Sequence, residues 1–329
     1  MGRPKSCLVI GAGICGLTAA RFLTESGLRV TILEKSRGVG GRMETRRSGD
    51  GTFDHGAQSI IVRSETFGAY VTEWLQQGLL LPWSDGFADS VGGSRDRRQQ
   101  HYRGAPSMTA VPKYVAARLH LHLNQRAGRA EVINGAWRVT TDQGGIFSAD
   151  ALLITPPVPQ SLALLPQQSG VILSADLATL RQIEYHSTLA LLYTLSGDSA
   201  IPSPGALRMK NGVVAWIADN RQKGISPGAI TVTVHTAHEF AAAHLDATPD
   251  AIRNEVTPAV AHLLRSPIIE VQVHRWRYSS PKRIHTNTFM LASRDPVLLF
   301  AGDAFGGADI EGATLSGLSA ARKLLSISQ

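Results

Sequence analysis

Leu8-Val9-Ile10-Gly11-Ala12-Gly13-Ile14-Cys15-Gly16 is the stretch that decides the fold of this 329-residue chain. Its apolar start predicts a strand buried in a parallel sheet. In the G-x-G-x-x-G spacing, Gly11 allows a tight turn, Gly13 lets the backbone approach a pyrophosphate, and Gly16 lets the next helix pack on the strand. That helix, predicted over residues 14–26, directs its first amides, at Ile14 and Cys15, towards the phosphates.

A second strand, predicted over residues 29–33, ends on Glu34, whose carboxylate can accept a hydrogen bond from a ribose hydroxyl. Alone, the glycine spacing is a weak signal. A strand before it, a helix after it and an acid about twenty residues further on favour dinucleotide binding over a plain glycine turn.

The composition is that of an ordinary globular protein, with 43% hydrophobic and 18% charged residues. The length allows two domains. The longest apolar runs are too short to span a bilayer, and the first strand begins too early to follow a signal peptide. We therefore expect a cytoplasmic or organelle-lumen protein that does not associate with membranes.

Two cysteines, Cys7 and Cys15, both lie in the opening strand–turn–helix segment. The sequence has no C-x-x-C pair and no histidine–cysteine cluster, so we expect no structural disulfide and no metal site. We interpret both as small core residues.

The net charge of +7 raises the question of which anion the chain attracts. Basic clusters occur at Arg46-Arg47, at Lys282-Arg283, and at Arg95, Arg97 and Arg98. Aromatic residues are not interleaved with them, so we expect no nucleic-acid partner. Solvated surface arginines explain each cluster, and a cofactor and substrate that carry phosphate would also account for the bias.

A basic glycine loop follows the acid: Lys35-Ser36-Arg37-Gly38-Val39-Gly40-Gly41-Arg42-Met43. Its backbone at Gly41 can lie against phosphate, with the guanidinium groups of Arg37 and Arg42 available for bidentate contacts. The alternative is a basic loop on the surface. We include Lys35 and Met43 among the candidate cofactor contacts.

Together the glycine motif, the acid and the R-x-x-G-G-R segment resemble the flavin-binding domain of the glutathione-reductase-type superfamily. Within it they resemble the branch that holds amine oxidases, protoporphyrinogen oxidase and renalase. The resemblance implies noncovalent FAD. It also implies that Gly56, Ala57 and Gln58, in the segment Asp54-His55-Gly56-Ala57-Gln58, lie beside the flavin ring. Asp54 as a turn cap and His55 as a packed histidine are the plainer interpretations of those two residues.

Two later segments extend the same resemblance. The apolar strand at residues 151–155 ends in Thr-Pro-Pro, and the resemblance implies that Thr155 lies at the cofactor. Near the C-terminus, Gly302-Asp303 is followed by Glu311-Gly312-Ala313 at the start of the last helix. Asp303 would contact the ribityl chain or the pyrophosphate, and the helix N-terminus would face the flavin N1–C2=O edge, where reduction places negative charge.

These patterns predict an α/β fold with a Rossmann-type, glutathione-reductase-like FAD-binding domain, made of a parallel sheet plus an antiparallel meander, and a second α+β substrate domain. We expect the FAD-binding domain over residues 1–63, 102–160 and 286–329, and the substrate domain over residues 64–101 and 161–285. The meander is predicted within residues 119–155 from period-two alternation and Asn-Gly and Gly-Gly turns. The substrate domain is predicted to hold a mixed sheet covered on one face. Its predicted strands cover residues 189–194, 213–217, 230–235 and 268–274, and its predicted helices cover residues 64–77, 177–182, 239–245 and 249–264.

Several segments in the second half resemble the renalase family, above all His274-Arg275-Trp276-Arg277-Tyr278-Ser279-Ser280-Pro281. That resemblance implies oxidation of dihydronicotinamide dinucleotides reduced at the wrong ring carbon, the 2- or 6-dihydro isomers of NAD(P). Hydride passes to flavin N5, and O₂ reoxidises the flavin to give H₂O₂. The protein must stack and orient the ring.

Four residues are the catalytic candidates under this resemblance. Trp276 and Tyr278 would wall the ring, while Asn220 and His235 would hold its carboxamide or a ribose hydroxyl. Core packing for the two aromatic residues, and a satisfied strand histidine for His235, remain open alternatives.

The chain departs from the renalase pattern at Ser59-Ile60-Ile61, where that family often carries aromatic residues. This leaves room for two other functions, an oxidase acting on amines or polycyclic substrates and a non-catalytic flavin-binding redox sensor. We expect a small-molecule substrate and O₂ as partners, in a monomer or homodimer.

Overall fold

A computed structural model describes residues 4–90, 99–166, 170–210 and 212–327. The predicted basic cluster Arg95, Arg97 and Arg98 lies outside these residues. Within them, no helix is long and apolar enough to cross a membrane.

The strands, in chain order, are β1 Ser6–Ile10, β2 Arg29–Leu33, β3 Thr45–Ser48, β4 Gly51–Asp54, β5 Leu80–Ser84, β6 His101–Gly104, β7 Leu121–His122, β8 Ala127–Ile133, β9 Ala136–Thr141, β10 Ile146–Ala149, β11 Ala151–Ile154, β12 Tyr185–Leu195, β13 Ala206–Arg208, β14 Val214–Asp219, β15 Ile230–Thr236, β16 Ile268–Pro281, β17 Met290–Arg294 and β18 Val297–Phe300. The α-helices are α1 Ile14–Glu25, α2 Glu65–Gln76, α3 Ala110–Ala116, α4 Val158–Ala163, α5 Ser174–Arg181, α6 His238–His244, α7 Pro249–Leu264, α8 Asp303–Gly306 and α9 Ile310–Ser326. A short 3₁₀ helix covers Gly41–Met43.

Two compact units make up the chain. The first contains Met1–Gly41, Pro112–Tyr185 and Ser280–Gln329, and the second contains Arg42–Val111 and His186–Ser279. These divisions differ from the predicted domain boundaries because packing, not sequence order, decides them. The β3–β4 hairpin packs within the second unit, where Thr231 Oγ1 donates to Thr52 O at 2.9 Å. Residues of α4 and α5 bury Val158 and Leu180 in the core of the first unit.

A six-stranded sheet in the order β17-β18-β11-β1-β2-β7 forms the first unit's centre. Strands β7, β2, β1, β11 and β18 are parallel to one another, and β17 pairs antiparallel with β18 at the edge. Both faces of the central strands are covered, which is why β11 and β18 are apolar and buried at every position. The predicted parallel sheet is confirmed.

The predicted antiparallel meander is the three-stranded sheet β10-β9-β8. Asn134 and Gly135, both at positive φ (52° and 77°), make the tight turn between β8 and β9. The meander is shorter than the period-two pattern suggested, because β7 and β11, at either end of that pattern, pair within the parallel sheet instead.

In the second unit the main sheet has five strands in the order β13-β14-β15-β12-β16. The pairs β13–β14, β14–β15 and β12–β15 are antiparallel, where a mixed sheet was predicted. One face carries the unit's apolar core, in which Leu189, Leu191 and Val234 pack with residues of α6 and α7. The opposite face carries a smaller cluster, in which Ala190 and Leu192 pack with Phe53 of the β3–β4 hairpin.

Candidate functional site

The glycine loop between β1 and α1 is built for close packing. Gly11 has φ +98°, and a Cβ there would lie 2.8 Å from Thr155 Oγ1. A Cβ at Gly16 would overlap the carbonyl oxygen of Gly11. Thr155 in turn donates its hydroxyl to Ile10 O at 2.7 Å. These contacts fix the turn at the carboxyl end of the parallel strands, where dinucleotides bind in such folds.

Beside Gly13 the loop is open. This residue is the N-cap of α1, with an ordinary φ of −74°, and a Cβ placed on it would meet no atom within 4 Å. Because Gly13 has no side chain, it cannot itself cap the first amides of α1, at Ile14 and Cys15. Open space in front of such amides fits a phosphate group.

Glu34 is held as a ribose-binding carboxylate would be. It is 7% exposed. One carboxylate oxygen accepts from Ala12 N and the other from Ser36 N, each at 2.8 Å. These bonds aim the carboxylate at the loop while leaving lone pairs for a ligand hydroxyl.

The basic loop returns to the same place. Gly40 N donates to Ala12 O at 2.9 Å, and a Cβ on Gly41 would lie 3.5 Å from Gly13 Cα. Gly41 has φ +55°, a conformation that favours glycine. Lys35 and Arg37 are exposed nearby in sequence. The predicted neighbourhood of the two glycine loops is thus present within the first unit.

Hydrogen bonds within the C-terminal motif also fix its conformation. Gly302 has φ +142°, and its N–H donates to Ser316 Oγ at 2.8 Å. Asp303 and Glu311 are buried, at 5% exposure each. Asp309 caps α9, accepting from Gly312 N with its side chain and from Ala313 N with its carbonyl. Because both amides already have partners, α9 offers a ligand chiefly its dipole.

Within the first unit, the open space at Gly13 and the oriented carboxylate of Glu34 fit the adenosine diphosphate part of FAD. Sequence reasoning found both, since each belongs to a local motif. It gave no role to Asp309 or to Ser316, the serine of the E-G-A-x-x-S-G motif, which hold the last motif in place.

The second unit contains the segment Asp54–Gln58. Asp54 is completely buried, with Oδ1 accepting from Thr45 Oγ1 at 2.7 Å and from Met108 N at 3.1 Å. Its Oδ2 accepts from Lys223 Nζ at 2.9 Å. Lys223 is itself buried and lies over the Trp83 ring, 4.7 Å from its centre. Asp54 is therefore half of a buried ion pair that sequence analysis did not predict.

The rest of the segment is fixed by its backbone. His55 O accepts from both Trp276 Nε1 at 2.8 Å and His235 Nε2 at 3.0 Å. A Cβ on Gly56 would overlap the carbonyl oxygen of Arg42 and lie 3.3 Å from the Trp276 ring. Trp276 thus packs directly on the segment predicted to lie beside the flavin.

One further bond ties this segment to the end of the basic loop, and another closes the segment on itself. Ala57 N donates to Arg42 O at 2.8 Å. Gln58 Nε2 donates to Asp54 O at 2.6 Å. Met43, next to Arg42, is buried, and its carbonyl oxygen accepts from Thr109 Oγ1 at 3.3 Å. The predicted contacts Arg42, Met43, Gly56, Ala57 and Gln58 form one connected group.

Three imidazoles surround Trp276. The rings of His55 and His274 lie 5.2 and 4.4 Å from the Trp276 ring. Burial, together with the nearby charge of Arg46, lowers the pKa of His55 to about 3. Burial likewise lowers the pKa of His235 and of His274 to about 4. All three imidazoles are neutral at pH 7, and the nearby charge is that of Arg46, whose Nη2 lies 3.4 Å from His274 Nδ1.

These side chains share one face of the five-stranded sheet. Ala190 and Trp216 lie directly opposite His235 on the neighbouring strands, so the three project to the same side. Trp276 packs with Ala190 on that side, and Tyr278, two residues on, has the same orientation. The strand β16 runs seven residues beyond the predicted end at His274. The alternation Gln-x-His-x-Trp-x-Tyr in the sequence could have indicated that the strand continues and that these side chains share one face.

Asn220 has a different setting. It is completely buried in the loop after β14, and its amide donates to Thr233 Oγ1 at 3.0 Å. Its Oδ1 has no hydrogen-bond partner among the described residues. The structure thus brings together Trp276, Tyr278 and His235 on the sheet face and gives Asn220 contacts with β15.

Two family models match the chain, one for an NAD(P)-binding Rossmann-like domain over residues 9–74 and one for flavin containing amine oxidoreductases over residues 72–325. Renalase of Mus musculus is 24% identical over 96% of this chain and 98% of its own length.

Solved structures show the same fold. A putative protoporphyrinogen oxidase from Exiguobacterium sp. 255-15 superposes with a TM-score of 0.76 at 14% identity, covering 100% of this chain and 99% of that one. A putrescine oxidase triple mutant superposes with a TM-score of 0.74 at 14% identity, covering 98% and 99%. With the family model spanning most of the chain, and with loops that fit a flavin dinucleotide, the chain belongs to the flavin-containing amine oxidoreductase family and uses FAD as its cofactor.

Proposed function

We propose that this protein is an oxidase of the renalase type, which converts 2- or 6-dihydro isomers of NAD(P) to NAD(P)⁺ and reduces O₂ to H₂O₂. The observation that carries the proposal is the similarity to renalase along the whole of both chains. The placement of Trp276, in the renalase-like segment, against the Asp54–Gln58 segment supports it.

Bound FAD supplies the hydride acceptor and the route of the electrons to oxygen. The chain's own task is to hold the dihydropyridine ring. Trp276, fixed by its bond to His55 O, offers an apolar wall, and Tyr278 extends the same side of the sheet. A ring held in one orientation gains much of the rate that a hydride transfer needs.

No side chain has to act as a general base, because loss of hydride from this ring leaves an aromatic cation. The lining suits that product, since His55, His235 and His274 are neutral at pH 7 and add no positive charge as the cation forms. His235 Nε2 lies 3.0 Å from His55 O and donates a hydrogen bond to that carbonyl oxygen. This leaves Nδ1 of His235 to accept a hydrogen bond from a ribose hydroxyl or from the carboxamide of the substrate. Asn220 Oδ1 is the second candidate acceptor, since it has no hydrogen-bond partner among the described residues.

The FAD contacts are proposed residue by residue. In the first unit they are Gly11, Gly13, Ile14, Cys15, Gly16, Glu34, Lys35, Arg37, Gly41, Thr155, Gly302, Asp303, Glu311, Gly312 and Ala313. In the second unit they are Arg42, Met43, Gly56, Ala57 and Gln58.

Anaerobic mixing of the FAD-loaded protein with 2-dihydro- or 6-dihydro-NAD(P) tests the function. We expect the flavin absorbance to bleach within seconds with at least one isomer, and ordinary NADH to bleach it far more slowly. Admitting air should then return the colour and yield equimolar NAD(P)⁺ and H₂O₂. If neither isomer bleaches the flavin, the renalase-type activity is wrong.

The second candidate is an amine oxidase, favoured by the family model itself. A panel of primary amines and polyamines in the same anaerobic assay separates the two. Bleaching by an amine alone would support this candidate. Bleaching by none of these compounds, with rapid air oxidation after photoreduction, would instead favour a redox sensor.

A further inference from the structure

We propose that His186 and His238 form a stacking platform for the second base of the dinucleotide substrate, the one that does not react. This inference rests on the proposed function and names a subsite for it. The two imidazole rings lie parallel, with centroids 4.3 Å apart and planes inclined by 12°. Sequence analysis singled out neither residue.

The platform lies on the functional side of the sheet. His186 is on β12, four residues before Ala190, so strand alternation gives the two side chains the same orientation. Ala190 packs against Trp276. His186 therefore extends from the side that carries Trp276, and away from the apolar core that contains Leu189 and Leu191.

Hydrogen bonds hold the platform's orientation. His238 Nδ1 donates to Ser187 O at 3.0 Å, with Thr188 Oγ1 a further 3.3 Å neighbour. Ser279 Oγ donates to His186 O at 3.0 Å, which ties β12 to β16 at this point. Both rings remain partly exposed. A ring pair fixed in advance offers a flat surface to a base without a further ordering cost.

The distance from the reacting ring suits a dinucleotide. Ser279 lies three residues beyond Trp276 on β16, a separation of about 10 Å along a strand. An extended dinucleotide can bridge that span with its pyrophosphate. Arg42 Nη1 donates to Ser279 O at 3.2 Å, so the guanidinium of this proposed FAD contact also lies near the residue that bonds to His186 O. The FAD adenosine is assigned to a different residue, Glu34.

Binding of ADP-ribose, which lacks the reacting ring, tests the platform directly. In calorimetric titrations of the FAD-loaded protein, His186→Ala and His238→Ala should each weaken ADP-ribose binding by about 5- to 100-fold, the range that base stacking gives. His238→Phe should recover most of the affinity, because it restores a flat ring. No binding of ADP-ribose to the unaltered protein would overturn the proposal, whatever the bleaching assay shows.

Kinetics separate a platform from a merely structural pair. With a dihydronicotinamide dinucleotide, both alanine variants should raise the half-saturating concentration and leave the limiting bleaching rate unchanged. With the corresponding mononucleotide, they should change neither. His244→Ala is the matched control, since His244 stacks on Phe240 at 4.1 Å but packs on α6 itself. Equal losses with dinucleotide and mononucleotide would show a structural role and contradict the proposal.

Discussion

Lys223 Nζ lies 2.9 Å from Asp54 Oδ2, and both side chains are completely buried. Burial lowers the pKa of Lys223, and the Asp54 carboxylate opposes that fall. The pair anchors the first residue of the segment whose later residues, Gly56 to Gln58, we assign to the flavin. A buried ion pair adds little net stability, but the loss of one partner leaves an uncompensated charge.

Replacing one member of this pair should therefore be costly. We expect Lys223→Met to lower the free energy of unfolding by about 3–5 kcal/mol, because Asp54 keeps a buried negative charge. In the double variant Lys223→Met/Asp54→Asn, where the charge is gone and Oδ1 still accepts from Thr45, more than half of the loss should return. Urea unfolding followed by circular dichroism measures both.

Lys282→Met makes the same substitution in an exposed pair, with Glu184 2.9 Å away. This substitution should lower the free energy of unfolding by less than about 1 kcal/mol. A double variant no more stable than Lys223→Met alone would show that packing of the lysine stem, rather than charge, dominates.

Gly13 and Gly16 should respond differently to alanine. Gly13→Ala places a methyl group in open space at an ordinary φ, so the apoprotein should keep its stability within about 0.5 kcal/mol. FAD should bind at least about 10-fold more weakly, because that methyl group occupies the space assigned to the pyrophosphate. Titration of apoprotein with FAD measures the affinity, and thermal unfolding measures the stability.

Gly16→Ala should instead destabilise the apoprotein, since its Cβ would overlap Gly11 O. Gly38→Ala is the control in the basic loop, where a Cβ also meets nothing within 4 Å. Unchanged FAD affinity in Gly13→Ala would show that the pyrophosphate of FAD does not bind beside Gly13.

Trp276 is expected to orient the substrate rather than to hold FAD. Trp276→Phe removes the Nε1 donor to His55 O, which still accepts from His235. We expect a bleaching rate lowered about 10-fold by poorer orientation, and Trp276→Ala should lower it further. Both variants should be purified with a full complement of FAD. Loss of FAD from Trp276→Ala would show that the tryptophan supports the cofactor site instead.

Local patterns predicted the backbone elements around the proposed nucleotide site well. The strand, glycine turn, helix and Glu34 lie within one short stretch, so spacing alone set their geometry, and β2 spans the predicted residues Arg29–Leu33. The last helix and its E-G-A start were predictable for the same reason. In each case the residues that meet in space are also close in sequence.

Long-range packing accounts for what the sequence did not reveal. Lys223 and Asp54 are 169 positions apart, and neither lies in a sequence pattern that predicts an ion pair. The division between the units falls at Gly41 and Arg42, inside the basic loop, because the β3–β4 hairpin packs on β15. His186 on β12 stacks on His238 at the start of α6, and neither residue lies in a sequence motif that predicts this contact.

The three histidines around Trp276 should make the protein sensitive to acid. Their pKa values in the folded protein, about 3 for His55 and about 4 for His235 and His274, lie below the ordinary value of 6.5. Above about pH 6.5 they are neutral in both states, and their contribution to stability is complete. As the pH falls from there towards 4, only the unfolded chain takes up protons at these histidines, so the free energy of unfolding decreases by about 1.4 kcal/mol per pH unit for each histidine.

Urea midpoints between pH 7 and pH 4 should show this slope. His274→Gln should make it shallower by about one proton, while His262→Gln, at an exposed position on α7, should leave it unchanged. The same slope in His274→Gln as in the unaltered protein would mean that His274 is already protonated in the folded state.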